Sequence, residues 1–125
     1  MTDPDQISVL SASVREFAAE RNWSQFHDPK NLAMAIASEA GELLAELRWV
    51  KNDESDALVA DSKQRIQIEH EIGDIAIALL LFCDRAKIDL STAITCKLDF
   101  NRQNYPRELA YGRAERPKPK TSESG

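Results

Sequence analysis

The sequence predicts an all-α protein, built as an antiparallel four-helix bundle. Only four glycines occur among its 125 residues, and apolar residues nowhere alternate with period two over the length of a strand. Two Asp-Pro pairs, Asp3-Pro4 and Asp28-Pro29, each precede an apolar pattern with helical spacing. Aspartate at the N-cap followed by proline in the first helical position is a common way to begin a helix.

The four helices are predicted near residues 3–21, 28–49, 61–87 and 90–104. Residues 22–28 form a turn between the first two helices, and the polar residues 50–60 form a loop or a single helical turn. Pro106 ends the fourth helix, because proline cannot continue a helix interior. One domain is therefore expected over residues 1–110. The Pro/Lys/Ser-rich residues 111–125 are expected to be a disordered tail.

Charge and composition exclude several kinds of partner. The formal net charge is −5, which disfavours non-specific binding to a nucleic acid polymer or to an anionic membrane. The N-terminal segment lacks the features of a signal peptide. Cys83 and Cys96 lie in helical apolar stretches and are interpreted as reduced core thiols. We expect a cytoplasmic protein.

The third predicted helix carries an apolar run, Ile75 to Cys83, that is too short to span a bilayer. Because the run is apolar on every face, it must be buried on all sides. Three other helices of one short chain would cover most of it, and a subunit interface would cover it better. We therefore expect a homo-oligomer, either a dimer or a tetramer.

Two acidic pairs in these apolar helices are the main functional signal. Glu39 and Glu42 in the second helix, and Glu71 and Asp74 in the third, each have i, i+3 spacing and therefore share a helix face. Gly41 and Gly73 lie at matching places in the pairs. Since a glycine in a helix costs about 1 kcal/mol relative to alanine, we expect two backbones, or a ligand, to approach closely there.

Antiparallel packing of the second and third helices would bring these carboxylates together. Their repulsion and desolvation would then need a cation. Hard oxygen ligands without histidine or thiolate indicate Mg²⁺, with Mn²⁺ as an alternative, and a metal of this kind is suited to phosphoryl chemistry. A solvated face paired to basic side chains is the simpler alternative. A di-iron bundle would need two Glu-x-x-His pairs, which the chain lacks.

These motifs resemble the MazG-like superfamily of all-α NTP pyrophosphohydrolases. Its metal-binding signature is similar to Glu39-x-x-Glu42 followed by Glu71-x-x-Asp74, although Ser38 stands where many members have a further glutamate. Three more segments are similar to the dCTP pyrophosphatase branch: residues 17–32, Trp49-Val-Lys51 and residues 97–106. The resemblance implies hydrolysis of a nucleoside triphosphate between its α- and β-phosphates.

The resemblance also implies roles for individual side chains. Glu42, with Glu39, is the candidate to orient or deprotonate the attacking water. The candidate substrate-binding residues are Trp23, His27, Trp49, Lys51, Lys97, Asn101 and Tyr105. Aromatic packing or a turn role remains open for several of them. A dUTP-type or broader pyrophosphohydrolase, and a non-catalytic helical interaction module, also remain open.

Overall fold

The computed structural model describes residues 5–115, which form α-helices and contain no strand. The helices are α1 (Gln6–Glu20), α2 (Pro29–Leu47), α3 (Ser55–Ala60), α4 (Ser62–Ala86), α5 (Leu90–Asn104) and α6 (Arg107–Ala110). Two short 3₁₀ turns occur at Ser24–Phe26 and Asn52–Glu54. The prediction of an all-α fold is therefore confirmed, whereas the four-helix bundle stays a prediction.

Aspartate side chains cap the four long helices. Asp28, Asp61 and Asp89 each accept a hydrogen bond from a backbone N–H of the first turn, at 2.9–3.2 Å. Asp5 caps α1 by accepting from the backbone N–H of Ile7 at 3.3 Å. These caps satisfy amide groups that would otherwise lack a partner at the helix start.

Some predicted boundaries need correction. The N-cap of α1 is Asp5 and not Asp3, because the Asp5 carboxylate takes the first free amide; Asp3 and Pro4 lie outside the described residues. Residues 50–60 contain α3 besides a 3₁₀ turn. Leu58 and Val59 are half-buried and give α3 an apolar side, and α3 packs on α4. Helix α6 was not predicted.

The chain divides into two compact units, one up to Ile88 and one from Asp89 onward. In the first unit α2 packs along α4, while α1 and α3 make smaller contacts with α4. In the second unit, α5 and α6 are joined by a turn at Tyr105 and Pro106. The single domain expected for residues 1–110 stays a prediction, and residues 116–125 of the expected tail lie outside the described residues.

Helices α2 and α4 run antiparallel. Glu42 on α2 contacts Glu71 on α4, whereas Leu32, ten residues earlier, lines the same cavity as Leu81, ten residues later. Ten residues of α-helix are about 15 Å long. The two contacts therefore lie at opposite ends of one antiparallel pair, as the sequence predicted.

The core of the first unit is small. Its buried apolar residues are Ala18, Leu32, Ile68, Ala78 and Cys83. Ile77 lies inside the apolar run of α4 and is still 43% exposed, so one chain does not bury this run on all sides. Cys96 is exposed and not a core thiol, because α5 buries none of its residues. No helix within residues 5–115 has the length and hydropathy to cross a membrane.

One ion pair fastens α1 to α4. The Arg15 Nη1 atom donates to Asp84 Oδ1 at 2.7 Å. The other side-chain hydrogen bonds of the described residues join positions at most five apart in sequence. Arg15 and Asp84 are both partly exposed, so the pair contributes about 1 kcal/mol at most. The ion pair connects α1 to α4 at a defined position.

Lys87 is the C-cap of helix α4 and adopts a left-handed conformation with φ 60° and ψ 41°. There the Ile88 N–H donates to Cys83 O at 2.9 Å. A side chain in this conformation is strained, and glycine is not. Lys87→Gly is therefore expected to raise the free energy of unfolding by about 0.5–1 kcal/mol.

Urea denaturation checks this expectation, with Asn22→Gly as the matched control. Asn22 also has a positive φ, 54°, but asparagine tolerates this region better than lysine. The free energy of unfolding should therefore rise less in Asn22→Gly than in Lys87→Gly. An equal or larger gain for Asn22→Gly would contradict the argument from strain at Lys87.

Candidate functional site

Three of the four predicted carboxylates meet between α2 and α4. Glu39, Glu42 and Glu71 each offer a carboxylate oxygen, and these oxygens lie within 4.8 Å of one another. Glu39 and Glu42 are almost one turn apart on α2, so they project from the same face. The antiparallel pairing places Glu71 of α4 opposite them. We refer to these three residues as the acidic cluster.

Two oxygens of the acidic cluster are buried without a hydrogen-bond donor. They are Oε2 of Glu39 and Oε2 of Glu71. The other oxygen of Glu71 accepts from Gln67 Nε2 at 3.0 Å. A buried carboxylate oxygen without a donor is costly, and a divalent cation removes that cost. Hard oxygen donors are those preferred by Mg²⁺ and Mn²⁺, so these residues fit such an ion.

Repulsion within the cluster changes the protonation of Glu42. Its pKa is raised above the ordinary value of 4.5 by contact with the Glu71 carboxyl, and then by the negative charges of Glu39 and Glu71, with smaller effects of desolvation and of Asp74. Glu42 is the solvent-exposed member, whereas Glu71 is buried. Without a cation, Glu42 therefore keeps its proton to a higher pH than an isolated glutamate does.

Asp74, the fourth predicted ligand, lies beside the cluster. It is not one of the three residues whose oxygens meet, but its charge reaches Glu42. Both Asp74 and Glu39 line the adjoining cavity. Asp74 therefore joins the acidic cluster to that cavity, and its role as a metal ligand stays a prediction.

The two matched glycines do not mark a close approach of two backbones. A Cβ atom built on Gly41 or Gly73 would meet no atom within 4 Å, so that part of the prediction is wrong. The approach of a ligand to these glycines stays a prediction.

A cavity of about 370 Å³ opens beside the acidic cluster. This volume is within the range of small-molecule sites. Its lining is mostly apolar and comes from α1, the 3₁₀ turn, α2 and α4: Val14, Phe17, Ala18, Trp23, Phe26, His27, Asn31, Leu32, Ala35, Glu39, Asp74, Ile77, Ala78 and Leu81. We refer to it as the apolar cavity. Its acidic end and apolar remainder suit a ligand with one charged and one flat part.

Trp23 and His27 both line the apolar cavity, as a base-binding role requires. The Trp23 ring packs edge-on against Phe17, with ring centroids 5.6 Å apart. The guanidinium of Arg21 lies 3.7 Å from the centroid of Phe17 on its ring face. These contacts hold an aromatic wall in place on one side of the cavity.

The other predicted substrate-binding residues are placed elsewhere. Trp49 is 86% exposed and does not line the apolar cavity, and Lys51 is exposed at the next 3₁₀ turn. In the second unit, Lys97 stacks on Phe100 at 4.4 Å. The Asn101 backbone oxygen accepts from the Tyr105 N–H at 2.7 Å. Their roles toward a substrate stay predictions.

Sequence reasoning missed several residues of the cavity. Asn31, Ala35 and Ala78 line it, and none was proposed for the site. Helical spacing was the available signal, because Ala35 precedes Glu39 by four residues and Ala78 follows Asp74 by four. Residues four apart share a helix face. Both alanines therefore lie on the faces of the acidic residues, one turn further along each helix.

Comparison with solved structures identifies the family. A crystal structure of a pyrophosphatase from Archaeoglobus fulgidus is 34% identical in sequence, has a TM-score of 0.79, and is aligned over 85% of this chain and 97% of that chain. The chain belongs to the MazG-like superfamily of all-α NTP pyrophosphohydrolases.

Curated relatives from mammals agree with this family. The bovine protein named dCTP pyrophosphatase 1 is 40% identical over 99 residues, which are 79% of this chain and 59% of the relative. The human protein of that name is 39% identical over 95 residues, or 76% of this chain and 56% of the relative. The chain thus spans less than two thirds of these relatives. No family model matches it.

The stability of the metal-free protein should depend on the protonation of Glu42 in the acidic cluster. Because the folded-state pKa of Glu42 is raised, the folded protein keeps this proton to a higher pH than the unfolded chain does. The corresponding stability is present at low pH and is lost as the pH rises through the folded-state pKa. Glu42→Gln removes the titrating group.

In a chelator, Glu42→Gln is therefore expected to raise the Tm relative to the unsubstituted protein at neutral pH, and the difference should shrink toward pH 4. A pH series of thermal melts measures it. Glu69→Gln is the control, because Glu69 is exposed on α4 and pairs with Arg65 outside the cluster. A pH-independent difference would show that repulsion at Glu42 is not its cause.

Proposed function

We propose that the protein is a metal-dependent nucleoside triphosphate pyrophosphohydrolase that acts on dCTP, or on dCTP modified in its base, in the cytoplasm. The observation that carries the proposal is the apolar cavity, which ends at carboxylates of α2 and α4. An apolar chamber suits a nucleobase, and clustered carboxylates suit the metal that accompanies a triphosphate. The family and the names of its relatives support the same activity.

Glu39, Glu42, Glu71 and Asp74 are the proposed metal ligands. Mg²⁺, or Mn²⁺ in its place, would neutralise phosphate charge and polarise the phosphorus atom under attack. The buried oxygens of Glu39 and Glu71 that lack a donor support this assignment. Gln67 would keep Glu71 oriented, because its amide nitrogen already donates to the other oxygen of that carboxylate.

Glu42 is the proposed group that orients the attacking water. It is the solvent-exposed residue of the acidic cluster, so water reaches its carboxylate most easily. The water oxygen forms a bond to the α-phosphorus, and the bond from that phosphorus to the bridging oxygen breaks. The proton of the water passes to a carboxylate. The products are the nucleoside monophosphate and pyrophosphate.

The nucleobase is proposed to lie in the apolar cavity. Trp23 offers an aromatic face there, and His27 offers a polar edge. Stacking of a base on an aromatic ring contributes about 1–3 kcal/mol. Lys51 and Lys97 are proposed to contact phosphate oxygens, and the remaining proposed substrate contacts are Trp49, Asn101 and Tyr105.

Substitution of the four acidic residues tests the active site. Glu39→Gln, Glu42→Gln, Glu71→Gln and Asp74→Asn are each expected to lower kcat/KM by about a hundredfold, or ~3 kcal/mol of transition-state stabilisation. Pyrophosphate release from dCTP with Mg²⁺ gives the measurement. Glu69→Gln is again the matched control and should keep full activity. Unchanged hydrolysis in all four variants, or in a chelator, would contradict the assignment.

The same assay separates the alternatives. A panel of dCTP, its 5-substituted derivatives, dUTP and the other nucleoside triphosphates distinguishes a dCTP-type enzyme from a dUTP-type or broad one. A non-catalytic interaction module would release pyrophosphate from none of them. The donor-free oxygens of the acidic cluster argue against such a module, because it has no need of a costly buried charge.

We also propose that the protein is a homo-oligomer, a dimer or a tetramer. Large apolar side chains remain exposed in the first unit, among them Met34, Leu44 and Ile66, and α5 buries none of its residues. Exposed apolar surface of this extent is typical of protein–protein interfaces. We propose that a second copy of the chain covers it. Light scattering should give a mass of at least twice 14.0 kDa. A monomer at micromolar concentration would contradict the proposal.

A further inference from the structure

The apolar cavity has few groups that can distinguish one nucleobase from another. Apart from the acidic residues at its end and the indole N–H of Trp23, the side chains in its lining that can form hydrogen bonds are His27 and Asn31. Stacking on Trp23 is available to every base, because every base has an aromatic face. The choice among bases must therefore come from directed hydrogen bonds. Asn31 is a candidate for such a bond, as His27 is.

The side-chain amide of Asn31 has a defined orientation. Its Nδ2 atom donates to the backbone oxygen of Phe26 at 3.0 Å, and its backbone N–H donates to Asp28 Oδ1 at 2.9 Å. A backbone carbonyl can only accept, so the amide nitrogen must be the atom that faces Phe26. The Asn31 Oδ1 atom is left as an acceptor, and it has no hydrogen bond within residues 5–115.

We propose that Asn31 is a specificity-determining residue that selects nucleobases with an exocyclic amino group, by accepting a hydrogen bond at Oδ1. Cytosine carries such an amine where uracil and thymine carry a carbonyl oxygen. With those two bases, two acceptors would face each other, and their repulsion would weaken binding. The inference rests on the proposed function and names the base class for that site.

The test compares Asn31→Ala with the unsubstituted protein. The ratio of kcat/KM for dCTP to that for dUTP is expected to fall about tenfold, which is the contribution of one such hydrogen bond. Gln25→Ala is the matched control: Gln25 Nε2 also donates to a backbone oxygen, that of Asn22 at 3.0 Å, but Gln25 does not line the apolar cavity. Its ratio should be unchanged.

Asn31→Asp separates recognition from a structural role. Aspartate keeps an acceptor oxygen but cannot donate to Phe26. If Asn31 accepts from the base, Asn31→Asp keeps most of the preference for dCTP that Asn31→Ala loses. If Asn31 only holds the turn at Phe26, both variants lose activity toward all nucleotides equally. That second result would overturn the inference.

A substrate analogue isolates the amine itself. The dCTP analogue with hydrogen in place of the 4-amino group should be about tenfold poorer than dCTP for the unsubstituted protein. With Asn31→Ala the two compounds should be nearly equal. A persistent tenfold difference in that variant would assign recognition of the amine to another group and overturn the inference.

A binding measurement separates this inference from the proposed function. Calorimetric titration with dCMP and dUMP gives the base preference without any hydrolysis. A preference for dCMP that Asn31→Ala abolishes would support the role of Asn31 even if no triphosphate were cleaved, in which case the proposed hydrolysis alone would fail. Equal binding of the two nucleotides, or binding of neither, would overturn the inference.

Discussion

Repulsion among carboxylates is the constraint on which the rest of this structure depends. The antiparallel pair α2 and α4 holds Glu39, Glu42 and Glu71 with oxygens within 4.8 Å of one another, at a point where two of those oxygens have no donor. Apolar burial along the rest of the pair must offset this cost. The small residues Ala35 and Ala78 lie one turn from the acids and leave the space that becomes the apolar cavity.

Much of this arrangement could be predicted from the sequence, because it follows from local rules. The cap at Asp28 and the i, i+3 acidic pairs depend on neighbours within one turn of helix. Antiparallel packing of the two acidic helices was considered as an arrangement that would bring these carboxylates together. Helix α3 was predicted only as a loop or a single helical turn, because its two half-buried apolar residues, Leu58 and Val59, form no pattern of their own and α3 packs on α4, which is distant from the acidic faces in the sequence pattern.

The composition of the cavity could not be predicted in the same way. Trp23 and His27 were identified through resemblance to a family, whereas Asn31 acts through an amide orientation that depends on the backbone oxygen of Phe26. Gly41 and Gly73 show the opposite case. Their matched positions indicated a close approach of two backbones, but a Cβ atom at either glycine would have no neighbour within 4 Å.

The antiparallel pair of α2 and α4 also fixes the distance between the apolar lining of the cavity and the carboxylates. Leu32 lines the cavity and Glu42 belongs to the acidic cluster, so ten residues, or about 15 Å of helix α2, run from the apolar lining to the charged end. Inserting one residue between Asp74 and Ala78 would rotate the two sets of side chains apart by about 100°. The distance along α2 between the apolar lining and the carboxylates is therefore set by the rise of the helix.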